Sequence, residues 1–193
     1  MAGGQNTFVS GNVLTAAQLN AYLMDQSLMR VTSGTRPTAA AQGGGLLEGM
    51  AVYETDNNAI CVYDGTNWNQ ITTEVSRVTA SETSTSTSYT NLATAGPAVT
   101  ITTGTQALVY ITAQSFSTSA YAAMSVAVSG ASTAAASDAY WNLSNVVGNN
   151  LAMTRVALIT GLTAGANTFT AKYRVSAGTG TWAYREIAAH GLL

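Results

Sequence analysis

The chain has 193 residues, and only 8% are charged, against roughly 25% in an average soluble domain. Seven Lys and Arg stand against nine Asp and Glu, for a formal charge of -2, so no basic face exists to neutralise phosphates and no nucleic-acid partner is expected. No apolar run approaches a membrane span, and the lone Cys61 rules out an intrachain disulfide or a Cys-cluster metal site.

In chain order, residues 1–14 are rich in Gly and Asn and read as an extended arm. A helix then follows from agreeing signals. Thr15 is the N-cap, Gln18 closes a capping box, and Leu14 with Leu19 forms a hydrophobic staple. Leu19, Tyr22, Leu23 and Gln26 share one helical face that fades by Met29. Three turns are too few to persist alone, so Phe8, Val13, Leu14, Leu19, Tyr22 and Leu23 are expected to attach the chain to another surface. Residues 1–31 are thus arm and helix, and residues 32–45, with Gly43-Gly-Gly45, have no sustained period and read as a linker.

Residues 46–74 give a compact three-stranded β-meander. Its signals are Met50 to Thr55, the polar turn Asp56-Asn57-Asn58, Ile60 to Tyr63, the hairpin dipeptide Asp64-Gly65 and a strand around Trp68 to Ile71. Trp68, Tyr53 and Tyr63 are its expected core or docking surface. Residues 75–193 turn to Ser/Thr/Ala alternation, with strands expected at 75–80, 98–102, 106–114, 121–129, 139–143, 151–160, 167–175 and 181–189, separated by glycines. Ser81 to Ser88 reads as an exposed loop or mobile linker. The fold class is therefore mainly β, with a short helix, a small meander and a C-terminal antiparallel sandwich or jelly roll.

Little here points to chemistry. His190 is the one histidine, no Gly-x-Ser-x-Gly elbow occurs, and the nine acids show no paired arrangement, so the chain is expected not to be an enzyme. Asp56-Asn57-Asn58 lacks the spacing of a calcium loop, no Lys-Ser/Thr follows the glycine run, and no cofactor or metal is expected. Asn142-Leu-Ser144 matches a glycosylation acceptor. Tyr140, Trp141, Trp182 and Tyr184 are candidates for recognition or for a subunit interface. A hydroxyl-rich exterior beside a start without charged or apolar leader features leads to the expectation of a protein assembled in a host cytoplasm and released by lysis.

Three phrases narrow this further. Phe8-Val-Ser-Gly-Asn-Val-Leu-Thr-Ala-Ala-Gln-Leu-Asn-Ala-Tyr-Leu-Met-Asp-Gln26, then Glu48-Gly-Met-Ala-Val-Tyr-Glu-Thr-Asp56 and Val62-Tyr-Asp-Gly-Thr-Asn-Trp68, stand in the order found in N-terminal modules of tailed-phage minor tail and virion proteins. Residues 8–71 resemble those of phages infecting actinobacteria. The phrases Leu162 to Arg174 and Thr181 to Ile187 are similar to the last strands of jelly-roll domains on phage fibres and capsid decorations. The resemblance implies a homotrimeric virion component bound to other virion proteins, in the tail or on the major capsid protein, with the tail favoured. An adhesin for host-surface glycan is the alternative from a different class.

Overall fold

A computed structural model of the protein describes Val13, Thr15 and residues 29–38, 46–71, 73–145 and 147–192. The expected helix lies outside the described residues, as do Phe8, Leu14, Leu19, Tyr22 and Leu23; Val13 is exposed. The chain divides into two compact units, Met1–Trp68 and Asn69–Leu193.

The first sheet orders its strands β1 (Met29–Val31), β2 (Ala51–Glu54), β3 (Ala59–Tyr63) and β4 (Trp68–Ile71). The β2–β3 hairpin follows from the alternation seen in the sequence, with Val52 opposite Cys61 and Glu54 opposite Ala59. All four of those side chains are buried. Its turn places Asn58 at φ 50, a conformation that asparagine tolerates well.

Two expectations are corrected here. Met29–Val31 is not the end of an arm and helix but a fourth strand, parallel to β2, with Met29 opposite Val52 and Val31 opposite Glu54. Residues 32–38 are not linker: a 3-10 turn spans Ser33–Thr35, and Pro37 is buried. What holds this segment is polar, which hydrophobic periodicity cannot reveal. Asp56 accepts hydrogen bonds from Ser33 N at 3.0 Å and Ser33 Oγ at 2.6 Å, and Arg36 pairs with Glu54. None of the aromatic trio expected as core or docking surface is fully buried. Tyr53, Tyr63 and Trp68 are half-buried, and the last two touch at a ring separation of 5.4 Å.

The second unit is a sandwich of two antiparallel sheets. Its strands are β5 (Thr73–Val78), β6 (Glu82–Ser84), β7 (Ala98–Thr103), β8 (Gln106–Ser117), β9 (Ala122–Gly130), β10 (Asn142–Ser144), β11 (Leu151–Thr160), β12 (Gly165–Val175) and β13 (Gly180–Leu192). One sheet runs β11-β8-β13-β5, with β6 also paired to β13; the other runs β10-β9-β12-β7. From β7 onward the chain passes repeatedly between the sheets, which gives a jelly-roll order. The inward set includes Val109 and Ile111 of β8, Met124 and Val126 of β9, Phe169 and Tyr173 of β12, and Trp182 and Ile187 of β13. Gly180 makes room for that indole: a Cβ there would lie 2.4 Å from the Trp182 ring.

Three further boundaries move. The run expected as a loop or linker at Ser81 to Ser88 contains β6, with Glu82 opposite Trp182 and Ser84 opposite Gly180. The strand expected at 139–143 is a 3-10 turn, Asp138–Tyr140, followed by the short β10. The sandwich starts at β5, whose Thr73 lies opposite His190, so the meander does not extend to residue 74.

Candidate functional site

Strand β12 builds the floor of a groove. Its alternation sends Ala171, Tyr173 and Val175 into the core, which leaves Lys172 and Arg174 on the outer face. On β9 these two lie opposite Ser125 and Ala123. The chain after β9 folds back over that face: Val128 and Ala134 exchange backbone hydrogen bonds of 2.8 and 3.0 Å, and Ser125 Oγ donates to the Ser137 carbonyl at 2.6 Å. One wall is thus residues 135–138, the facing wall is Thr87 to Tyr89, and the space between them is about 710 Å³.

The charged groups in this groove are fixed rather than mobile. Asp138 accepts from Arg174 Nε at 3.1 Å, from Arg174 Nη2 at 2.7 Å and from the Tyr89 hydroxyl at 2.8 Å. The Arg174 guanidinium lies over three rings, Tyr89 and Tyr121 at 5.2 Å and Trp141 at 5.5 Å, where cation–π attraction adds to the ion pair. Lys172 Nζ donates to Asn91 Oδ1 at 2.7 Å.

Protonation follows from these contacts. The hydrogen bond from Arg174 holds the Asp138 carboxyl below its ordinary value. Partial burial works against the Arg174 charge, but its bonds to Asp138, Tyr89 and Tyr121 outweigh that and raise it. Burial, with the Asp138 hydrogen bond, pushes the Tyr89 hydroxyl up to about 12. None of the three changes protonation near neutral pH, so the arrangement suits holding a ligand rather than moving protons.

The four predicted aromatics do not come together. Trp182 is fully buried, packed 5.5 Å from the Tyr173 ring, so the expectation of a recognition role for it is corrected. Tyr140 is partly buried against the same core. Trp141 belongs to the Arg174 cluster, whereas Tyr184 is exposed on β13 beside Arg77 at 5.8 Å. A β-bulge between Ala183 and Glu186 follows Trp182 on that strand and contains Tyr184. It lets both Trp182 and Arg185 face inward, where strict alternation would put them on opposite faces. Sequence reasoning missed Lys172, Arg174, Asp138 and Tyr89 because Tyr89, Asp138 and the β12 pair lie far apart in the chain and meet only through the Thr90–Tyr173 bridge and the fold-back of the chain after β9.

The outer face of the other sheet has a different character. Register places Leu158, Leu108, His190 and Thr73 in one row and Val156, Tyr110, Ala188 and Val75 in the next. Val75 is 58% exposed, Leu158 49%, Val156 47% and Tyr110 38%. The neighbouring row carries its one ion pair, Arg77 with Glu186 at 3.8 Å. His190 Nδ1 meets Thr73 Oγ1 at 3.1 Å on this surface. Among the described residues, no group of three His, Cys, Asp or Glu is placed to hold a metal ion.

No family model matches the chain, and no curated protein matches it. Among solved structures it is similar to an Eiger TNF from S. frugiperda, at 9% identity and a TM-score of 0.40, over 63% of this chain and 93% of that one.

Proposed function

We propose that this chain is a non-enzymatic structural protein of a tailed phage, a minor tail or fibre component that displays its sandwich as a homotrimer. The observation that carries the assembly part is the apolar outer face of the β11-β8-β13-β5 sheet. Val75, Tyr110, Val156 and Leu158 in two adjacent rows there are exposed, with Leu108 and Ala188 half-buried between them, and contiguous patches of this kind mark association sites. The only opposite charges in the next row neutralise each other, so covering the face with a second copy buries no unpaired ion, a burial that would otherwise cost several kcal/mol. The phage assignment and the number three come from the phrases at residues 8–71 and the jelly-roll-like strands after them.

Light scattering on the purified chain is expected to give three times the 19.8 kDa chain mass. Val156→Asp with Leu158→Asp should yield a folded monomer, because two like charges without a partner in the patch make its burial unfavourable. A wild-type monomer at micromolar concentration defeats the assembly reading. Deleting residues 1–30 should leave the sandwich folded and abolish incorporation into particles. Counting copies per particle on a quantitative gel separates the tail position, with few copies, from the capsid-decorating alternative, with hundreds.

A further inference from the structure

We propose that the groove between Thr87–Tyr89 and residues 135–138, floored by Lys172, is a saccharide-binding site that prefers sugars carrying a carboxylate. This does not rest on the assembly reading, because the groove lies on the other sheet of the sandwich.

The argument starts from what a sugar asks of a protein. Each hydroxyl both donates and accepts, so a site needs fixed donors beside fixed acceptors. Asp138 offers about four lone-pair positions. Tyr89 and Arg174 Nε occupy Oδ1 and Arg174 Nη2 occupies one position on Oδ2, which leaves an acceptor on a side chain that is 51% exposed. Lys172 has three N–H groups, and Asn91 takes one. Donor and acceptor therefore stand in one groove, Lys172 on its floor and Asp138 in a wall.

The remaining lining fits the same ligand. Ala127, Ala135 and Ala136 give an apolar strip for the C–H face of a pyranose, and Ser88 and Ser137 put hydroxyls in the walls. A volume of about 710 Å³ lies within the range of small-molecule sites. The clamp of three rings and Asp138 on Arg174 orders the groove before any ligand arrives, which lowers the entropic cost of binding.

Charge sets the preference. Lys172 and Arg174 outnumber Asp138 by one, so a single carboxylate on the sugar gains a partner in Lys172. Phosphate is disfavoured, because its higher charge would stand beside the exposed Asp138 carboxylate.

The test is a backbone amide NMR titration of the whole chain with glucuronate, glucose, N-acetylglucosamine and inorganic phosphate in turn. Saturable shifts at residues 87–89, 135–138 and 172 are expected with the sugars, glucuronate binding in the millimolar range or tighter and at least severalfold better than glucose. Lys172→Met should weaken glucuronate by about tenfold and erase its advantage over glucose, and Ala136→Trp should block all three sugars, with both variants keeping the wild-type spectrum elsewhere. Two results overturn the proposal: no saturable shift with any sugar up to tens of millimolar, or phosphate shifting the same amides as strongly as glucuronate. Neither result alters the light-scattering mass, so failure here and failure of the assembly reading are distinguishable.

Discussion

Glu54 is fully buried in the smaller sheet, and its partners explain how a carboxylate is tolerated there. It accepts from Asn57 Nδ2 at 2.8 Å and is paired with Arg36, and the Arg36 hydrogen bond holds its carboxyl below the ordinary range despite burial. Cys61, also without exposed surface, lies against the same group; burial and the Glu54 carboxylate push its thiol up to about 11. A protonated, covered thiol is inert, so a disulfide reagent at neutral pH should label Cys61 only when the sheet opens. Glu54→Gln removes the charge that Arg36 and Asn57 were built around, at a cost of about 1–3 kcal/mol. Labelling of Cys61 should then accelerate by roughly tenfold or more; an unchanged rate would show that the pair does not stabilise this sheet. The inward setting of Cys61 was legible from the Ile60-Cys-Val-Tyr63 alternation. Glu54 was not, because a charged residue in a strand signals a solvent face unless its distant partner is known.

Strand β6 shows the same limit at the level of an element. Long strands such as β11, Leu151–Thr160, were readable to the residue, since a ten-residue run rich in apolar and β-branched side chains is bounded by Gly148 and Gly161. β6 has three residues and no apolar one; it forms because β13 offers backbone partners and because Glu82 meets the buried Arg185 at 2.9 Å. Glu82 also accepts from Thr94 N at 3.0 Å and from Thr94 Oγ1 at 2.5 Å. Burial alone would raise this carboxyl, but the Thr94 bonds and the Arg185 charge outweigh it and hold it below the ordinary 4.5. The unfolded chain then binds the proton more readily, so this stabilisation is complete above about pH 4.5 and is lost as pH falls through the lower folded value. Denaturant midpoints between pH 7 and pH 3 should therefore drop. Glu82→Gln should be less stable at pH 7 and should show a shallower acid decline, and an identical decline would place the proton uptake on other carboxylates.

Across the whole molecule, low charge takes on a specific meaning. Among the described residues, four of the arginines sit in ion pairs, Arg36, Arg77, Arg174 and Arg185, so most of the few cations present are committed to partners within the chain. The overall class was legible because glycine punctuation and strand spacing are local signals. The groove was not, since its walls come from segments before β7 and after β9 that carry no pattern of their own. The sandwich also leaves one large sheet finishing on β11, ten residues long and bearing Val156 and Leu158. A terminal strand of that length presents unpaired amides and carbonyls that can template strand-by-strand stacking into fibrils. Two residues oppose this. Asn142 Nδ2 occupies the Met153 carbonyl, and Arg155 sets a charge at the middle of the strand, where stacked copies would repel one another. Arg155→Val should leave the fold and the spectrum of fresh protein unchanged yet shorten the lag before fibrils bind thioflavin. In a protein present at high local concentration, a single exposed arginine would then separate orderly association through a face from runaway growth along a strand.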